Sequence, residues 1–371
     1  MPCRTFFVFL LLTLSAQFLQ AQQNLLFVGS YNIDKSLPGI YVYSFDDTSG
    51  SLTKLTEHTG VLNPSYLALS RTGRYLYACT ESRAGLLGSV SSFEFQNNNL
   101  RFINQQPTGA ANPVYVALDQ QEKWLLSGSY TGGGMAAFPI NKKGEIKPAA
   151  QIRLFQDSSI RPQQKSAHIH SVNFSPDQRY VYLPDLGADK IRRFTFSPSL
   201  PQPLNEEPAI KTPPGSGPRH MAFHPNGKFA YCVSELSGAV TVYFHQNGRL
   251  DSIQEVSLHQ QPYEFYSSAD VHISPDGLFL YASNRGQENN IAIFGINRSS
   301  GRLSPVGYQS TGGEHPRNFV IDPSGKFLLV ANEISGDIVV FRRNQKTGLL
   351  TDTGHKVRIK GPSCLIFKSH P

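Results

Sequence analysis

The sequence predicts an all-β fold, a seven-bladed β-propeller closed by pairing its N- and C-terminal strands in one blade. Three observations predict it. One phrase recurs along the chain, the residues between its copies read as two further short strands, and the chain ends carry complementary fragments of one more copy. The phrase is a loop pair often ending in Pro, a short alternating apolar run, a Pro/Asp/Gly turn with a basic residue, and a second apolar run rich in aromatics. Its equivalent positions are Pro64, Pro113, Ile169, Pro218, Ser268, Pro316 and Pro362, spaced 46 to 56 residues apart. That is the length that four short strands and their turns need in one propeller blade.

Each strand has its own warrant. The first two of a blade are the paired apolar runs, such as Met221-Ala222-Phe223 and Phe229-Ala230-Tyr231-Cys232 around the turn His224-Pro225-Asn226-Gly227-Lys228. Pro presets φ in such a turn and Gly takes the positive φ, so this face of the disc reads as ordinary turn chemistry. The third strand is a run such as Ala239 to Phe244 or Asp337 to Phe341, and a Gly-marked hairpin at Gly248 or Gly348 leads into the fourth. Leu25 to Gly29 and Gly39 to Phe45 supply a second and a third strand with no first before them, and Ser363 to Phe367 is a first strand with no second. Joining them in one blade closes the ring and removes exposed sheet edges. The stretches Phe155 to Ser166 and Pro198 to Pro218 read as elongated inter-blade loops that overhang the pocket.

Composition agrees. Apolar residues make up 39% and charged residues only 16%, with 31 Gly and 25 Pro among 371 residues, a profile of neither coiled coil, helical bundle nor disordered tail. The net charge of +7 comes from basic residues scattered singly or in pairs such as Arg192-Arg193 and Arg342-Arg343. No tract of the nucleic-acid-binding kind is present, and a mild positive excess suits an anionic small molecule. At the N-terminus Arg4 precedes an apolar run to Leu14, followed by small and polar residues, as in a secretory signal peptide over residues 1–21. The run is about half the roughly 20 residues of a membrane-spanning helix. The chain is therefore expected to be exported to the periplasm, without a stable membrane span, as a propeller over 22–371 and a monomer. Cys79, Cys232 and Cys364 remain, an odd and sparse set within strand patterns, which points to inert packing rather than disulfides or a Cys-ligated metal.

The face opposite the turns carries the chemistry. Segments leading into first strands hold Asn63, Asn112, His168, His170, Arg219, His220, Asp270, His315, Arg317 and Asn318. Segments leaving second strands hold Glu81, Tyr130, Asp185, Glu235, Asn284, Arg285, Asn332 and Glu333. First strands are innermost in a propeller, so these residues converge on the axis as a pocket. His170 is the natural acid/base near neutral pH and Glu235 a base or its orienter. Arg219 and Arg285 suit an anion or a developing oxyanion. His168, Asn63, Arg317 and Glu333 complete the set as substrate-binding candidates. Gly132-Gly133-Gly134 lacks the Lys-Ser/Thr pair and helix of a phosphate loop, and His168, His170 and His220 without a positioned carboxylate or Cys make a weak metal set.

Asn63-Pro64-Ser65-Tyr66-Leu67, Ala167-His168-Ile169-His170-Ser171-Val172, Gly217-Pro218-Arg219-His220, Val233-Ser234-Glu235-Leu236, Ser283-Asn284-Arg285-Gly286 and His315-Pro316-Arg317-Asn318-Phe319 resemble the bacterial 6-phosphogluconolactonase family of seven-bladed lactonases. That family is related to the 3-carboxy-cis,cis-muconate lactonising enzymes. The resemblance covers the whole chain after residue 21. It implies that His170, Arg219, Glu235 and Arg285 correspond to the active-site set of the lactonising branch. It further implies hydrolysis of a sugar-acid lactone to the free acid with neither metal nor cofactor. An export signal departs from a cytosolic phosphogluconolactone hydrolase and favours an unphosphorylated lactone. Three other readings stand beside it: an exported, non-catalytic ligand-binding propeller, a carboxymuconate-type cyclase, and a calcium-dependent lactonase using Glu235, Asn284, Asn332 or Glu333 as oxygen ligands.

Overall fold

Alternating apolar runs of six or seven residues can bury both faces only when sheets stack against one another. In the computed structural model, which describes residues 24–82 and 86–368, they do so around a ring. The described strands form seven four-stranded antiparallel sheets. Blade one joins Pro362–Phe367, Asn24–Ser30, Ile40–Phe45 and Leu52–His58 from the axis outward, so the two ends of the described chain meet in one sheet as expected. The closing pairs include Val28 with Leu365 and Gly29 with Cys364. Blades two to seven then follow in chain order, each with its first strand innermost. The expected signal peptide lies outside the described residues.

The core is divided by the same geometry. Seven buried apolar clusters occupy the seven junctions between neighbouring blades, for example Val233, Val240 and Val242 of blade five against Leu280, Ala292 and Phe294 of blade six. Second strands such as Phe229–Ser234 are buried along their whole length, whereas fourth strands such as Arg249–Ser257 alternate towards solvent. Cys79, Cys232 and Cys364 are free and buried in these clusters, and burial pushes the Cys79 and Cys232 thiols up to about 12. Such thiols remain protonated and inert at neutral pH.

One expected loop is largely a strand. Within Pro198 to Pro218, residues Leu204–Lys211 form the outer strand of blade four, with Pro208 opposite a register shift in that pairing. An edge strand has no neighbour awaiting the missing N–H, so proline is tolerated there. Phe155 to Ser166 is a connection containing the 3-10 turn Pro162–Gln164. Asp189 ties the two connections together, accepting from Ser159 Oγ and from the Gly215 and Gly217 amides.

The feature that positions the site is a recurrent bulge at the start of the innermost strand. In five blades the ladder skips a register just after its first pair, at Val114, Arg219, Ala269-Asp270, Arg317 and Ser363. A bulge bends a strand and re-aims neighbouring side chains, so two consecutive residues can serve the axis where strict alternation would supply one. Blade four reaches a similar result by shortening: its first strand is only Asn173–Phe174, and the preceding residues are held by a bridge from Ile169 to Asp185.

The inter-blade clusters should dominate stability. Phe27→Ala, which empties a site at a junction and removes an edge-to-face contact with Phe95 at 5.1 Å, is expected to cost about 3–5 kcal/mol in urea unfolding. Ile33→Ala, at a residue 71% exposed, should stay within about 0.5 kcal/mol of the parent.

Candidate functional site

Two layers of side chains line the axis at the face opposite the turns. The outer layer takes the residue after each equivalent position and includes His170, Arg219 and Arg317. The layer beneath takes the next residue and includes Tyr66, Tyr115, His220, Asp270 and Asn318. Ring contacts join blades two to five across the axis: Tyr66 stacks on Tyr115 at 4.0 Å, and His220 meets Tyr115 at 5.4 Å and His170 at 5.2 Å. The residues leaving second strands form a collar around the outer layer: Tyr31, Glu81, Tyr130, Glu235, Arg285 and Glu333.

Glu235 sits between two guanidinium groups. Its Oε2 accepts Arg219 Nε at 2.9 Å and lies 3.0 Å from Arg285 Nη2. Burial pushes its carboxyl up, but Arg285, Arg219 and Arg317 outweigh burial and hold it below the usual carboxylate range. Arg219 is 1% exposed, and burial and the neighbouring Arg285 lower it to about 10, so it remains a cation. It donates Nη1 to the Ala269 carbonyl at 2.6 Å, which leaves Nη2 without a protein partner among the described residues. Arg285 is more fully engaged, with Nε on the Ser267 carbonyl at 3.1 Å and Nη1 3.2 Å from His315 Nε2.

Arg317 differs from both. It makes only long ion-pair approaches, 3.8 Å to Glu81 and 3.9 Å to Glu333, and its guanidinium lies 5.3 Å from the centre of the Tyr31 ring. Tyr31 in turn donates to Glu81 at 2.7 Å. A guanidinium held by charge and a ring face, with no hydrogen bond among the described residues, keeps its donors for a ligand. A cleft of about 490 Å3 adjoins it, lined by Tyr31, Asn63, Glu333 and Lys360.

His170 is 5% exposed, and its Nδ1 is sealed from solvent with no partner. Burial, followed by the charges of Arg219, His220 and Arg317, holds it well below the ordinary histidine range, so the ring is neutral at pH 7. His315 is lowered to about 4 by burial and by Arg285 and Arg317.

The structure thus brings His170, Arg219, Glu235, Arg285, Arg317 and Glu333 to one mouth. His168 and Asn63 border it with His168 Nδ1 and the Asn63 amide oxygen already engaged. His168 lies parallel to Tyr130 at 4.2 Å with Nδ1 on the Tyr130 carbonyl. Asn63, at φ 45°, accepts the Asn32 amide at 3.0 Å and so locks a loop. Asp185 falls one residue short of the collar and binds Arg192 and the His168 amide instead. The calcium set does not assemble, because Asn284 and Asn332 are buried in hydrogen bonds to their own blade and to the end of the preceding one, and Glu235 is held by arginines. Among the described residues no three His, Cys, Asp or Glu side chains are grouped to hold a metal ion. Sequence reasoning missed Tyr31, although Gly29-Ser30-Tyr31 repeats the tripeptide Gly128-Ser129-Tyr130 at the matching place in blade three.

The family description "Lactonase, 7-bladed beta-propeller" matches residues 25–367. This chain belongs to that lactonase family. A 6-phosphogluconolactonase of Formosa agariphila is 43% identical over 92% of this chain and 98% of its own length. A 6-phosphogluconolactonase of Bacillus subtilis is 32% identical over 92% and 97%. The solved structure of a periplasmic gluconolactonase of Pseudomonas aeruginosa superposes with a TM-score of 0.89 at 36% identity, covering 94% of this chain and all of that one. The repeated phrases that mark the family are the ones that place this lactonase's histidine and arginines at the axis.

The buried groups set an acid limit to the fold. His170, His220 and His315 bind protons less readily when folded than the ordinary value of 6.5, so the unfolded chain takes up those protons first. Their contribution is complete above about pH 6.5 and is lost as pH falls towards 4. Below that the lowered Glu235 and Asp270 carboxyls act in the same direction, opposed by the raised Asp185. Scanning calorimetry should therefore give a lower Tm at pH 4.5 than at pH 7.5, and a Tm that rises on acidification would contradict the assignment.

Proposed function

We propose that this member of the lactonase family hydrolyses a sugar-acid lactone to the free acid, with His170 as general base and without metal. The observation that carries the reading is a sealed, neutral histidine set beside guanidinium groups that retain free donors. Water attacks the lactone carbonyl carbon while His170 Nε2, the ring nitrogen left for the pocket, takes its proton. The carbonyl oxygen becomes an oxyanion opposite Arg219 Nη2, whose cation is fixed by Glu235 before the substrate arrives. As the ring C–O bond breaks, the proton on His170 passes to the leaving alkoxide, and the new carboxylic acid ionises into solvent. Glu235, pinned between two arginines, orients them rather than carrying the proton. Arg317 and the adjoining cleft take the distal, polar or anionic end of the substrate.

Two names among the similar proteins, 6-phosphogluconolactonase and gluconolactonase, support an aldonolactone as substrate. Export to the periplasm is part of this proposal. It is supported by Arg4 with the apolar run to Leu14 and by the periplasmic gluconolactonase of similar structure, and it favours the lactone without phosphate.

The test is acid release in a pH-stat on gluconolactone and 6-phosphogluconolactone with EDTA present. Release above the spontaneous rate is expected, with kcat reduced about 10²–10⁴-fold in a folded His170→Ala variant. Arg317→Ala should raise KM about tenfold or more for the phosphorylated lactone and much less for the neutral one. A well-folded chain that opens neither lactone would count against the proposal, and activity abolished by EDTA would end the metal-free mechanism. The pH profile of kcat/KM should stay level from pH 8 down through 6.5 and fall only below it, because the base titrates below the ordinary value.

A further inference from the structure

Behind His170 lies a second imidazole with a dedicated carboxylate. His220 Nδ1 is 2.8 Å from Asp270 Oδ1, and its Nε2 is buried without a partner. Asp270 is enclosed by donors. The Val271 amide reaches Oδ1 at 3.0 Å, and Oδ2 receives His272 Nε2 at 3.0 Å, Asn318 Nδ2 at 2.5 Å and the Phe319 amide at 3.3 Å. Asn318 cannot turn its carbonyl oxygen to Asp270, because that oxygen accepts the Leu365 amide at 2.7 Å.

A carboxylate so surrounded is ionised and acts only as an acceptor. His220 Nδ1 must therefore carry the proton that faces it. A neutral imidazole protonated on Nδ1 has a lone pair on Nε2, so His220 Nε2 is an acceptor sealed inside the protein. The adjacent ring is His170, 5.2 Å away between centroids and inclined at 69°, whose Nδ1 is likewise sealed and unpartnered. The other rings against His220, Tyr66 and Tyr115, meet it edge to face.

We propose that Asp270 and His220 form a positioning pair that fixes the tautomer of His170, with His170 Nδ1–H directed towards His220 Nε2 through one bridging water, and His170 Nε2 left unprotonated for the pocket. The chain of donors runs one way, from His170 to His220 to Asp270, and its direction follows from the carboxylate at its end. His220 touches no reacting atom. It acts by holding the base in the one protonation pattern that can accept a proton from the attacking water, as a third group does for the base in any nucleophile–base–orienter arrangement. The inference rests on His170 being that base, but the tautomer is defined whether or not a lactone is turned over.

The experiment uses the full folded chain labelled with 15N-histidine. Long-range 1H–15N spectra at pH 7.5, with His170 assigned by the signal lost in His170→Ala, read the tautomer directly. A protonated Nδ1 and an unprotonated Nε2 on His170 are expected, and the opposite tautomer in the parent protein overturns the proposal. His220→Phe, which keeps an aromatic ring against Tyr66 and Tyr115, should shift His170 towards the Nε2–H form. It should also lower kcat about 10–100-fold with KM changed less than about twofold. In the His170→Ala background the same substitution should have no further effect on kcat, because its target is gone. An equal loss in both backgrounds would show a structural role and overturn the proposal. Failure of every lactone to react, with the expected tautomer present in the parent chain, would instead defeat the assigned reaction and leave the pair intact.

Discussion

Closure of the ring is the constraint on which everything else depends. Seven sheets share one axis only because Asn24–Ser30 pairs with Pro362–Phe367, which sets the angle between neighbouring blades and the width of the channel between innermost strands. At that width each blade can offer about one side chain per layer. Function is then a matter of which seven residues stand in a layer, and the bulges after the first ladder pair decide that two successive layers, rather than alternate ones, face inward. Arg219 above His220, and Arg317 above Asn318, are direct products of that local irregularity.

Within this geometry, charge is arranged by contrast. Arg219, Arg285 and Arg317 share the mouth with Glu81, Glu235 and Glu333, so the cluster is nearly neutral while its members differ in freedom. Glu235 fixes two arginines, and removing it would leave two guanidinium groups without their counter-ion in a desolvated place. Arg317 is held by long ion-pair approaches and the Tyr31 ring face, which leaves it able to reorient to a ligand. Burial first, and the neighbouring cations second, disfavour a positive charge on His170 and His315, which is why both are neutral here. The arginines that give the mouth its positive groups therefore also add to burial in keeping the His170 ring neutral.

The fold was legible because the repeat carries both hydrophobic period and turn chemistry, and because Leu25 to Gly29 and Ser363 to Phe367 are visibly halves of one unit. The convergence of His170, Arg219, Glu235 and Arg285 was legible from strand order alone, since chain direction dictates which segments share a face. What alternation could not reveal is the bulge, because one extra residue in a strand leaves no mark on composition. Asp185 was misplaced by one residue at the end of its strand, which exchanges a pocket residue for a partner of Arg192. Asn63 looked like a ligand-binding amide, but its positive φ makes it the residue on which the chain turns, with its oxygen used on Asn32. Leu204–Lys211 was concealed by prolines that an edge strand accepts.

The closing strand has a further consequence for how the molecule comes into being. Ribosomal synthesis delivers Pro362–Phe367 after every other strand, yet it is the innermost strand of its blade and its Cys364 packs against Leu67 of blade two. Until it arrives, the inner edge of Asn24–Ser30 has unpaired amides and carbonyls, and the channel lacks one of its walls. A nascent chain lacking that strand is therefore an open, adhesive sheet stack whose axial pocket lacks a wall. The mouth is completed in a single late event, and the chain exchanges an unpaired inner edge for a closed ring in the same step.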